Sequence, residues 1–293
     1  MDHMTALVSA FARAYHYKNN RDRVFADPLA EKLLTEEEYA AIARNMSEGV
    51  AYFAPDFQGT REEALRFVAE RQLAPSVLAR SAFCERALDA AGRLGCRQVV
   101  LFASGYDTLS LRAGEGRIFE LDLPDMIADK RARMARSGLT PVCQVEWLGC
   151  DLSRSLWKGD LLRAGFDAEQ QAFGSLLGLS YYLTREEFTR LIGTISSIWR
   201  QGSSLCFDYP QTDGGAESGR HRALAAAAGE RMKARYSYGE LEELLSEAGF
   251  LIYEHLNAAE ATEAFFRKYN RGNAGHAMAA PEGVGYCLAV KKG

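Results

Sequence analysis

Residues 97–122 read RQVVLFASGYDTLSLRAGEGRIFELD, and this stretch decides the fold. A short apolar run at 99–103 is followed by a Ser-Gly pair, which is the pattern of a strand that is buried on both faces and ends in a tight turn. A second apolar run, at 118–121, ends on Asp122. A nucleotide-binding β-turn-α-β unit places an acid at this distance to hold ribose hydroxyls. The stretch therefore predicts a nucleoside cofactor that lies across the ends of two parallel strands.

The turn after the first strand narrows the choice of cofactor. Gly105 permits a close backbone approach, but the sequence Ala103-Ser104-Gly105 does not match the GxGxxG pattern. No basic residue occupies the place of a P-loop lysine, so a pyrophosphate would find few partners. S-adenosylmethionine, which has a ribose and an adenine but no phosphate, fits better than NAD or ATP. Taken alone, the stretch is also compatible with an ordinary strand-to-helix turn that binds nothing.

The composition excludes several classes of protein. The chain has 293 residues, of which 47% are hydrophobic and 25% charged, so it can bury a sizeable core. A net charge of −4 argues against a dominant nucleic-acid surface. The six cysteines form no CxxC pair and have no histidines at zinc spacing, so we expect no metal and free thiols that pack in the core, as a reducing cytoplasm permits. No run approaches the roughly 18 apolar residues of a membrane span, and no apolar signal region opens the chain. We therefore expect a soluble cytoplasmic protein with no nucleic-acid or membrane partner.

Residues 1–94 are predicted to form a helical cap in front of the first strand. Apolar residues recur at helical spacing over 4–18 and 61–85, and Pro28 is placed in the first turn of a helix predicted over 27–43. We expect this cap to cover part of the cofactor site and to shape a substrate pocket. Its loop AYFAPDFQG holds aromatic residues that pack either on the substrate or within the cap itself: Tyr52, Phe53 and Phe57.

Residues 95–293 alternate between predicted strands and helices. About seven apolar segments interleaved with helices predict an α/β fold with a doubly wound sheet, whose ligands lie at the carboxyl ends of its strands. Residues 211–236 begin polar and glycine-rich and continue as a basic, alanine-rich stretch, so we expect a lid insertion there. Its arginines either clamp an anionic substrate or form a solvated face: Arg220, Arg222 and Arg235.

A further acid follows the strand predicted at 142–148. Asp151 comes just after this strand and is followed by Leu152. Asp151 either accepts a hydrogen bond from an adenine amino group, with Leu152 covering the ring, or caps a helix over 153–164.

Several segments together resemble one protein family. They are RDRVFADPLAEKLL, the pair Arg80-Ser81, VVLFASGYDTLSLR, FELDLPDMIADKR, the Cys150-Asp151-Leu152 turn, LSYYLTREEF and GSSLCFDY. They resemble the leucine carboxyl methyltransferase family, and in particular its bacterial branch of S-adenosylmethionine-dependent O-methyltransferases, which includes polyketide O-methyltransferases. The resemblance covers nearly the whole chain, and its most specific part is a G-[FY]-D-T turn followed by E-x-D-x-P-x-x-x-x-x-K. It implies the class I methyltransferase (Rossmann-like) fold, a seven-stranded doubly wound sheet whose last strand is antiparallel.

The resemblance also implies roles for particular residues. Arg80 would pair with the methionine carboxylate, and Gly105 with the adjacent backbone would line the cofactor. Asp122 would hold the ribose hydroxyls, while Asp151 and Leu152 would frame the adenine. The complete set expected at the cofactor is Arg80, Ala103, Ser104, Gly105, Asp107, Asp122, Leu123, Asp151, Leu152 and Leu177.

Two positions depart from the family pattern. Ala103 stands where relatives usually have the first glycine of a G-x-G turn, so an added methyl group faces the cofactor. Leu177 stands where relatives commonly carry an acid, so a charge is absent from the methionyl end of the site.

The implied chemistry is an in-line displacement in which an acceptor oxygen takes a methyl group, and the protein supplies positioning and a dry site. A carboxylate acceptor is ionised at neutral pH and needs no base, whereas a phenol, with a pKa of about 10, benefits from one. The candidates for such a base, each of which also has a structural interpretation, are Tyr181, Tyr182, Tyr209 and His221.

We therefore expect an S-adenosylmethionine-dependent methyltransferase that acts on a carboxyl or hydroxyl oxygen of a small, polyketide-like molecule. One alternative is methylation of a protein C-terminal carboxylate. Another, raised by Ala103 and Leu177, is a non-catalytic protein that binds S-adenosylmethionine in a regulatory role. An NAD-dependent oxidoreductase is disfavoured because the glycine fingerprint is missing.

Overall fold

The computed structural model describes residues 3–112, 116–212 and 232–293, and the fold is given for these ranges. The N-terminal third is helical, in keeping with its apolar periodicity. The first helix, for example, buries Leu7, Phe11 and Tyr15. The elements are α1 (Met4–Asn19), a 3₁₀ helix (Ala30–Leu33), α2 (Glu36–Glu48), α3 (Val50–Phe53), α4 (Arg61–Arg66), a π-helical segment (Phe67–Leu73) and α5 (Ala74–Arg93).

The rest of the described chain builds a seven-stranded sheet. Its strands are β1 (Gln98–Phe102), β2 (Arg117–Asp122), β3 (Gln144–Gly149), β4 (Ala172–Leu176), β5 (Ser204–Pro210), β6 (Phe250–Leu256) and β7 (Val284–Lys291). They lie in the order β3-β2-β1-β4-β5-β7-β6. β1 to β5 run parallel, and β7 is antiparallel to both of its neighbours, β5 and β6. The predicted seven-stranded sheet with an antiparallel last strand is confirmed.

Helices lie between most of the strands. They are α6 (Leu109–Arg112), α7 (Pro124–Arg136), α8 (Trp157–Arg163), α9 (Arg185–Ser196), α10 (Tyr238–Glu247), α11 (Ala258–Ala261) and α12 (Arg267–Gly272). Short 3₁₀ helices cover Ser180–Tyr182 and Ala274–His276, and a π-helical segment covers Thr262–Phe266.

β1 lies inside the sheet, and all five of its residues are buried. Val100 and Phe102 pack into one core cluster together with residues of α8, α9 and α10. Val99 and Leu101 pack into another cluster with residues of α5, because successive side chains of a strand point to opposite faces. Cover on both faces explains why the apolar run of β1 does not alternate with polar residues.

The single helix predicted over 27–43 is wrong, because the chain forms a 3₁₀ helix and then α2, and each begins at its own cap. Asp27 Oδ1 accepts a hydrogen bond from the Ala30 amide at 3.1 Å, at the start of the 3₁₀ helix. Thr35 then forms a capping box with Glu38, in which Thr35 Oγ1 accepts from the Glu38 amide at 3.1 Å and Glu38 Oε2 accepts from the Thr35 amide at 2.8 Å. Local side-chain hydrogen bonds therefore start α2 anew.

Charged side chains join the N-terminal helices to the sheet region. Arg13 of α1 donates from Nε to Asp27 Oδ2 at 2.9 Å and from Nη2 to the Tyr106 carbonyl at 2.7 Å. Arg133 of α7 forms a two-pronged ion pair with Glu38 of α2, with N···O distances of 2.6 and 2.7 Å. The Arg13–Tyr106 and Arg133–Glu38 contacts cross the predicted boundary between the cap and the cofactor-binding domain. The division into two domains stays a prediction.

The predicted lid at 211–236 lies mostly outside the described residues, and so do Arg220 and Arg222. Its two flanks meet beside the end of β5, where the Thr212 amide donates to the Tyr236 carbonyl at 3.2 Å. Arg235 donates from Nε to the Gln211 carbonyl at 2.9 Å, so this arginine ties the two flanks together.

Two expectations from the composition can be compared with the structure. All six cysteines are free, four of them buried and two half-buried, as expected of thiols that serve in packing. Among the described helices, none combines the length and the apolarity needed to cross a membrane.

Candidate active site

A cavity of about 950 Å³ opens at the carboxyl edge of the sheet, where the strand order reverses between β1 and β4. Ligands of doubly wound sheets bind at this reversal. Residues that follow β1, β2 and β4 line the cavity together with residues of α1, α2 and α5. Its volume lies at the upper end of the range of about 300–1,000 Å³ that is typical of ligand pockets, so it has room for a cofactor and a second small molecule. The structure brings eight of the ten residues predicted at the cofactor to this cavity: Arg80, Ala103, Ser104, Gly105, Asp107, Asp122, Leu123 and Leu177.

Asp122 fixes the turn that follows β1. Its Oδ2 accepts from the Gly105 amide at 2.7 Å, and its Oδ1 accepts from the Leu123 amide at 2.7 Å. Burial raises the pKa of the Asp122 carboxyl, and these two amides act in the opposite direction. Each carboxylate oxygen can accept more than one hydrogen bond, so the group can also receive ligand hydroxyls. Asp122 therefore both shapes the turn and presents acceptors to the cavity.

The turn itself carries a strained residue and an orphaned hydroxyl. Ala103 has φ +53°, the left-handed region that disfavours any residue with a Cβ. This geometry explains why the family pattern has a glycine there. Ser104 Oγ is buried and has no hydrogen-bond partner among the described residues, which is uncommon in native proteins. A polar ligand group in the cavity would complete the hydrogen bonding of this turn.

Arg80 reaches the cavity from α5 by passing close to Gly178. A Cβ on Gly178 would lie 2.8 Å from Arg80 Nη1, and Gly178 has φ +71°, so another residue there would displace the guanidinium. Arg80 Nη2 lies 3.4 Å from Ser9 Oγ of α1. A guanidinium has five N–H donors in a planar fork that matches a carboxylate, so Arg80 has the capacity to bind one in the cavity.

Asp208 of β5 belongs to the site, although the sequence motifs do not mark it. Its side chain is fully buried. Oδ1 accepts from the Gly178 amide at 2.7 Å, and Oδ2 accepts from the Tyr181 hydroxyl at 2.9 Å. Arg80 Nη1 lies 3.7 Å from Oδ2. The one signal in the sequence is an acid inside an otherwise apolar strand, GSSLCFDY.

Two of the four candidate bases, Tyr181 and Tyr182, line the cavity. Tyr181 donates its hydroxyl hydrogen to Asp208, and burial together with the negative charge of Asp208 raises the pKa of Tyr181 well above 10. Tyr181 therefore stays protonated at neutral pH and is poorly suited to act as a base.

The other two candidate bases are not placed at the cavity by the described residues. Tyr209 is buried, is not among the residues that line the cavity, and has its hydroxyl 2.9 Å from His255 Nε2 on β6. His221 lies outside the described residues.

Asp151 and Leu152 follow β3 at the same edge of the sheet but do not line the cavity. Asp151 is exposed, and its Oδ1 accepts from Ser153, at 3.0 Å from the amide and 2.7 Å from the hydroxyl. Leu152 is buried in the core. The helix predicted over 153–164 begins only at Trp157, so Asp151 closes a turn and does not cap that helix. The role of these two residues at an adenine stays a prediction.

The E-x-D-x-P-x-x-x-x-x-K stretch has a structural basis. Glu120 and Lys130 are both fully buried, with Lys130 Nζ 2.5 Å from Glu120 Oε2. Ser110 Oγ donates to Glu120 Oε1 at 2.5 Å. This buried pair holds α7 against β2 and so fixes the strand end on which Asp122 lies.

These residues fit S-adenosylmethionine. Arg80 suits a carboxylate, Asp122 suits the two hydroxyls of a ribose, and Ser104 has a hydroxyl at the cavity that no described residue uses. Over the described ranges, no group of three or more His, Cys, Asp or Glu side chains is placed to hold a metal ion.

The chain is similar to known proteins over most of its length. The model of the leucine carboxyl methyltransferase family matches residues 6–196. A Bacillus subtilis (strain 168) protein named "Putative S-adenosyl-L-methionine-dependent methyltransferase YktD" is 36% identical over 305 aligned positions, which cover 99% of this chain and 98% of the relative. A Mycobacterium marinum protein named "Putative S-adenosyl-L-methionine-dependent methyltransferase" is 30% identical over an alignment that covers 78% of this chain and 72% of the relative.

Solved structures share the fold. A DUF574 family protein from Streptomyces avermitilis has a TM-score of 0.59 and 15% identity, with 97% of both chains covered. Magnesium protoporphyrin IX methyltransferase from Synechocystis PCC 6803, solved with bound SAH, has a TM-score of 0.50 and 13% identity, with 86% of this chain and 99% of that chain covered. The sheet, the cavity at its carboxyl edge and the family match lead to one conclusion. The chain belongs to the leucine carboxyl methyltransferase family and is an S-adenosylmethionine-dependent methyltransferase.

Proposed function

We propose that the protein transfers the methyl group to a carboxyl or hydroxyl oxygen of a small, largely apolar molecule of the polyketide kind. One observation carries this proposal: a single cavity joins the residues that suit the cofactor to a group of apolar side chains from the N-terminal helices. We call this group the acceptor wall. It consists of Ile42, Met46, Tyr52, Phe53, Val68 and Leu73.

The acceptor wall supplies what a methyl transfer needs from the protein. S-adenosylmethionine, when bound, provides a methyl group on a positively charged sulfur. Apolar side chains exclude water from the acceptor and hold it in one orientation, which is the main contribution of a protein to an in-line displacement. Because Tyr181 is held in its protonated form, the site favours an acceptor that is already ionised, such as a carboxylate or an acidic hydroxyl.

The aromatic residues of the cap divide between the two roles expected of them. Tyr52 and Phe53 line the cavity and contact each other edge to face, with ring centroids 5.1 Å apart. Phe57 does not line the cavity and packs against Phe67, with centroids 5.7 Å apart. We therefore assign Tyr52 and Phe53 to the acceptor and Phe57 to the packing of the cap.

A second candidate function is methylation of a protein C-terminal carboxylate, which the description of the matching family model favours. The two functions are separated by incubating a cell lysate with the protein and S-adenosylmethionine labelled in its methyl group. We expect label in small molecules other than S-adenosylmethionine itself. Label that enters only the protein fraction would contradict the proposal and support the second candidate.

Once an acceptor is found among apolar carboxylic acids and phenols, a pair of variants tests the acceptor wall. We expect Phe53→Ala to raise the KM for the acceptor about tenfold or more, because it removes a large contact surface, while the affinity for S-adenosylhomocysteine stays unchanged. Tyr253→Ala is the matched control, because Tyr253 lies on β6 and is 76% exposed. Equal effects of the two substitutions would rule out a role for the acceptor wall.

A further inference from the structure

We propose that Asp208 is the positioning residue for the methionyl end of the cofactor, and that it takes the place of the acid that the chain lacks at Leu177. The inference deepens the proposed function of this site and rests on the assignment of Arg80 to the methionine carboxylate. It concerns a residue on β5, outside the motifs of the family resemblance that define the cofactor turn.

Asp208 lies beside Leu177 in the sheet. The register between β4 and β5 pairs Leu176 with Phe207. The next residue along each chain is Leu177 on one side and Asp208 on the other, and the amide of Gly178 donates to Asp208. The carboxylate therefore lies one strand away from the position of the missing acid, at the same level of the sheet.

The Asp208 carboxylate has three partners in the described part of the chain. Its partners Gly178, Tyr181 and Arg80 all line the cavity, whereas Asp208 itself is fully buried and does not. The backbone carbonyl of Asp208 also accepts a hydrogen bond from the Ser180 hydroxyl, at 2.7 Å. It can act on a ligand only through these neighbours, which makes it a positioning residue.

The Asp208 carboxylate lies near the Arg80 guanidinium. The distance of 3.7 Å between Nη1 and Oδ2 is that of an ion pair but is longer than a hydrogen bond. The carboxylate thus attracts the guanidinium toward Gly178 while leaving hydrogen-bonding capacity for an incoming carboxylate. Gly178 is part of the same arrangement, because its lack of a Cβ lets Arg80 approach to within the distance that a side chain would block.

The charges at the methionyl end of the site also favour an acid at position 208. The methionyl end of the cofactor brings one carboxylate and two positive groups, the ammonium and the sulfonium. Arg80 adds a further positive charge, and the adjacent Leu177 is apolar. In a buried region, where charges interact more strongly than in water, the negative charge of Asp208 offsets this excess.

The experiment compares two ligands by isothermal titration. S-adenosylhomocysteine contains the amino-acid group, and 5′-methylthioadenosine has the same nucleoside and sulfur without it. For Asp208→Asn we expect the dissociation constant for S-adenosylhomocysteine to rise at least about tenfold, while that for 5′-methylthioadenosine changes less than about threefold. Ser180→Ala is the control, since it removes a hydrogen bond to the same residue but no charge. If Asp208→Asn weakens the affinity for both ligands to the same extent, Asp208 only maintains the fold and the proposal is overturned.

A second variant keeps the test informative if Asp208→Asn does not fold. Leu177→Glu restores the family acid, but in this chain it places a second carboxylate beside Asp208. We expect it to leave the affinity for S-adenosylhomocysteine unchanged or lower, and tighter binding would overturn the proposal. In the Asp208→Asn background, if that protein folds, the same substitution should recover much of the lost affinity.

The unmodified protein separates this inference from its premise. If it binds the two ligands equally, then Arg80 does not serve the methionine carboxylate and the premise fails before Asp208 is tested. If it binds S-adenosylhomocysteine more tightly but Asp208→Asn keeps that preference, then the premise holds and the role of Asp208 is refuted.

Discussion

Asp122 fixes the turn after β1 and presents acceptors to the cofactor, and a conservative substitution weakens both functions. In Asp122→Asn one oxygen becomes an NH₂ group, which cannot accept from the Gly105 amide, the Leu123 amide or a ribose hydroxyl. We expect binding of S-adenosylhomocysteine to weaken by about 1.5–3 kcal/mol, measured by isothermal titration. Asp125→Asn is the control, because Asp125 is exposed at the start of α7. Unchanged affinity in Asp122→Asn would remove Asp122 from the cofactor site.

Ala103 gives a prediction about strain. Replacing a buried alanine in a strand with glycine destabilises a protein by roughly 0.5–1 kcal/mol or more, because glycine gains freedom in the unfolded chain. At φ +53° the left-handed conformation costs alanine about 1–2 kcal/mol, which glycine avoids. We therefore expect Ala103→Gly to leave the free energy of unfolding unchanged or higher, and Ala172→Gly in β4 to lower it. Chemical denaturation measures both, and an equal loss in the two variants would show that the turn is not strained.

The residues of the site differ in how far each can be predicted from the sequence. Gly105, Asp122 and Arg80 were predictable because family motifs mark them, and each motif residue is brought to the cavity by the strand or helix that carries it. Asp208 was not predicted at the site, although the family segment GSSLCFDY contains it. Its contact with Gly178 joins residues thirty positions apart in the chain, and no local pattern records that contact.

At the level of elements, the strands were easier to predict than the helices of the cap. An apolar run buried on both faces is visible in the sequence, and the run predicted at 99–103 lies within one residue of β1 (Gln98–Phe102). The helix predicted over 27–43 failed because the periodicity of its apolar residues continues across the cap at Thr35. Side-chain capping decides such boundaries, and apolar spacing does not register it.

The docking of α1 depends on a buried histidine, and this makes stability depend on pH. His16 is fully buried in α1, and its Nε2 accepts from the Val24 amide at 3.0 Å. Burial, with a smaller contribution from the positive charge of Arg23, lowers the pKa of His16 to about 4. Its other neighbours are Asn20, which is hydrogen-bonded to Glu70, and the ring of Tyr269 at 5.4 Å.

The sign of the effect follows from the lowered pKa. The unfolded chain takes up a proton on this histidine near pH 6.5, whereas the folded protein does so only near pH 4. The stabilisation is therefore complete above about pH 6.5 and is lost as the pH falls toward 4, by about 3 kcal/mol in total. Urea denaturation between pH 7 and pH 4 measures this loss. We expect His16→Gln to have a shallower pH dependence, while His276→Gln, at an exposed position, keeps that of the unmodified protein. An unchanged slope in His16→Gln would assign the acid sensitivity to other groups.

For the molecule as a whole, the cavity is a product of two parts of the chain that are distant in sequence. The strand ends supply Asp122 and Gly178, while the first two turns of α1 supply five residues: Met4, Thr5, Ala6, Val8 and Ser9. Arg13 holds α1 to the turn after β1 through the Tyr106 carbonyl. The sequence predicted that the cap would cover the site, but the specific contribution of α1 depends on tertiary contacts.

This arrangement predicts which helices are protected from hydrogen exchange when a ligand binds. A ligand at one hundred times its dissociation constant stabilises the folded protein by about 2.7 kcal/mol. Amides that exchange only through global unfolding therefore exchange more slowly throughout the protein when the ligand is bound. Exchange by local opening should respond only near the ligand. We expect S-adenosylhomocysteine to slow exchange at the amides of α1 by more than at those of α10, which contributes no residue to the cavity. Hydrogen-exchange mass spectrometry with and without the ligand measures both helices. Equal slowing in α1 and α10 would mean that α1 does not close over the bound cofactor, and the acceptor would then enter a site open on that side.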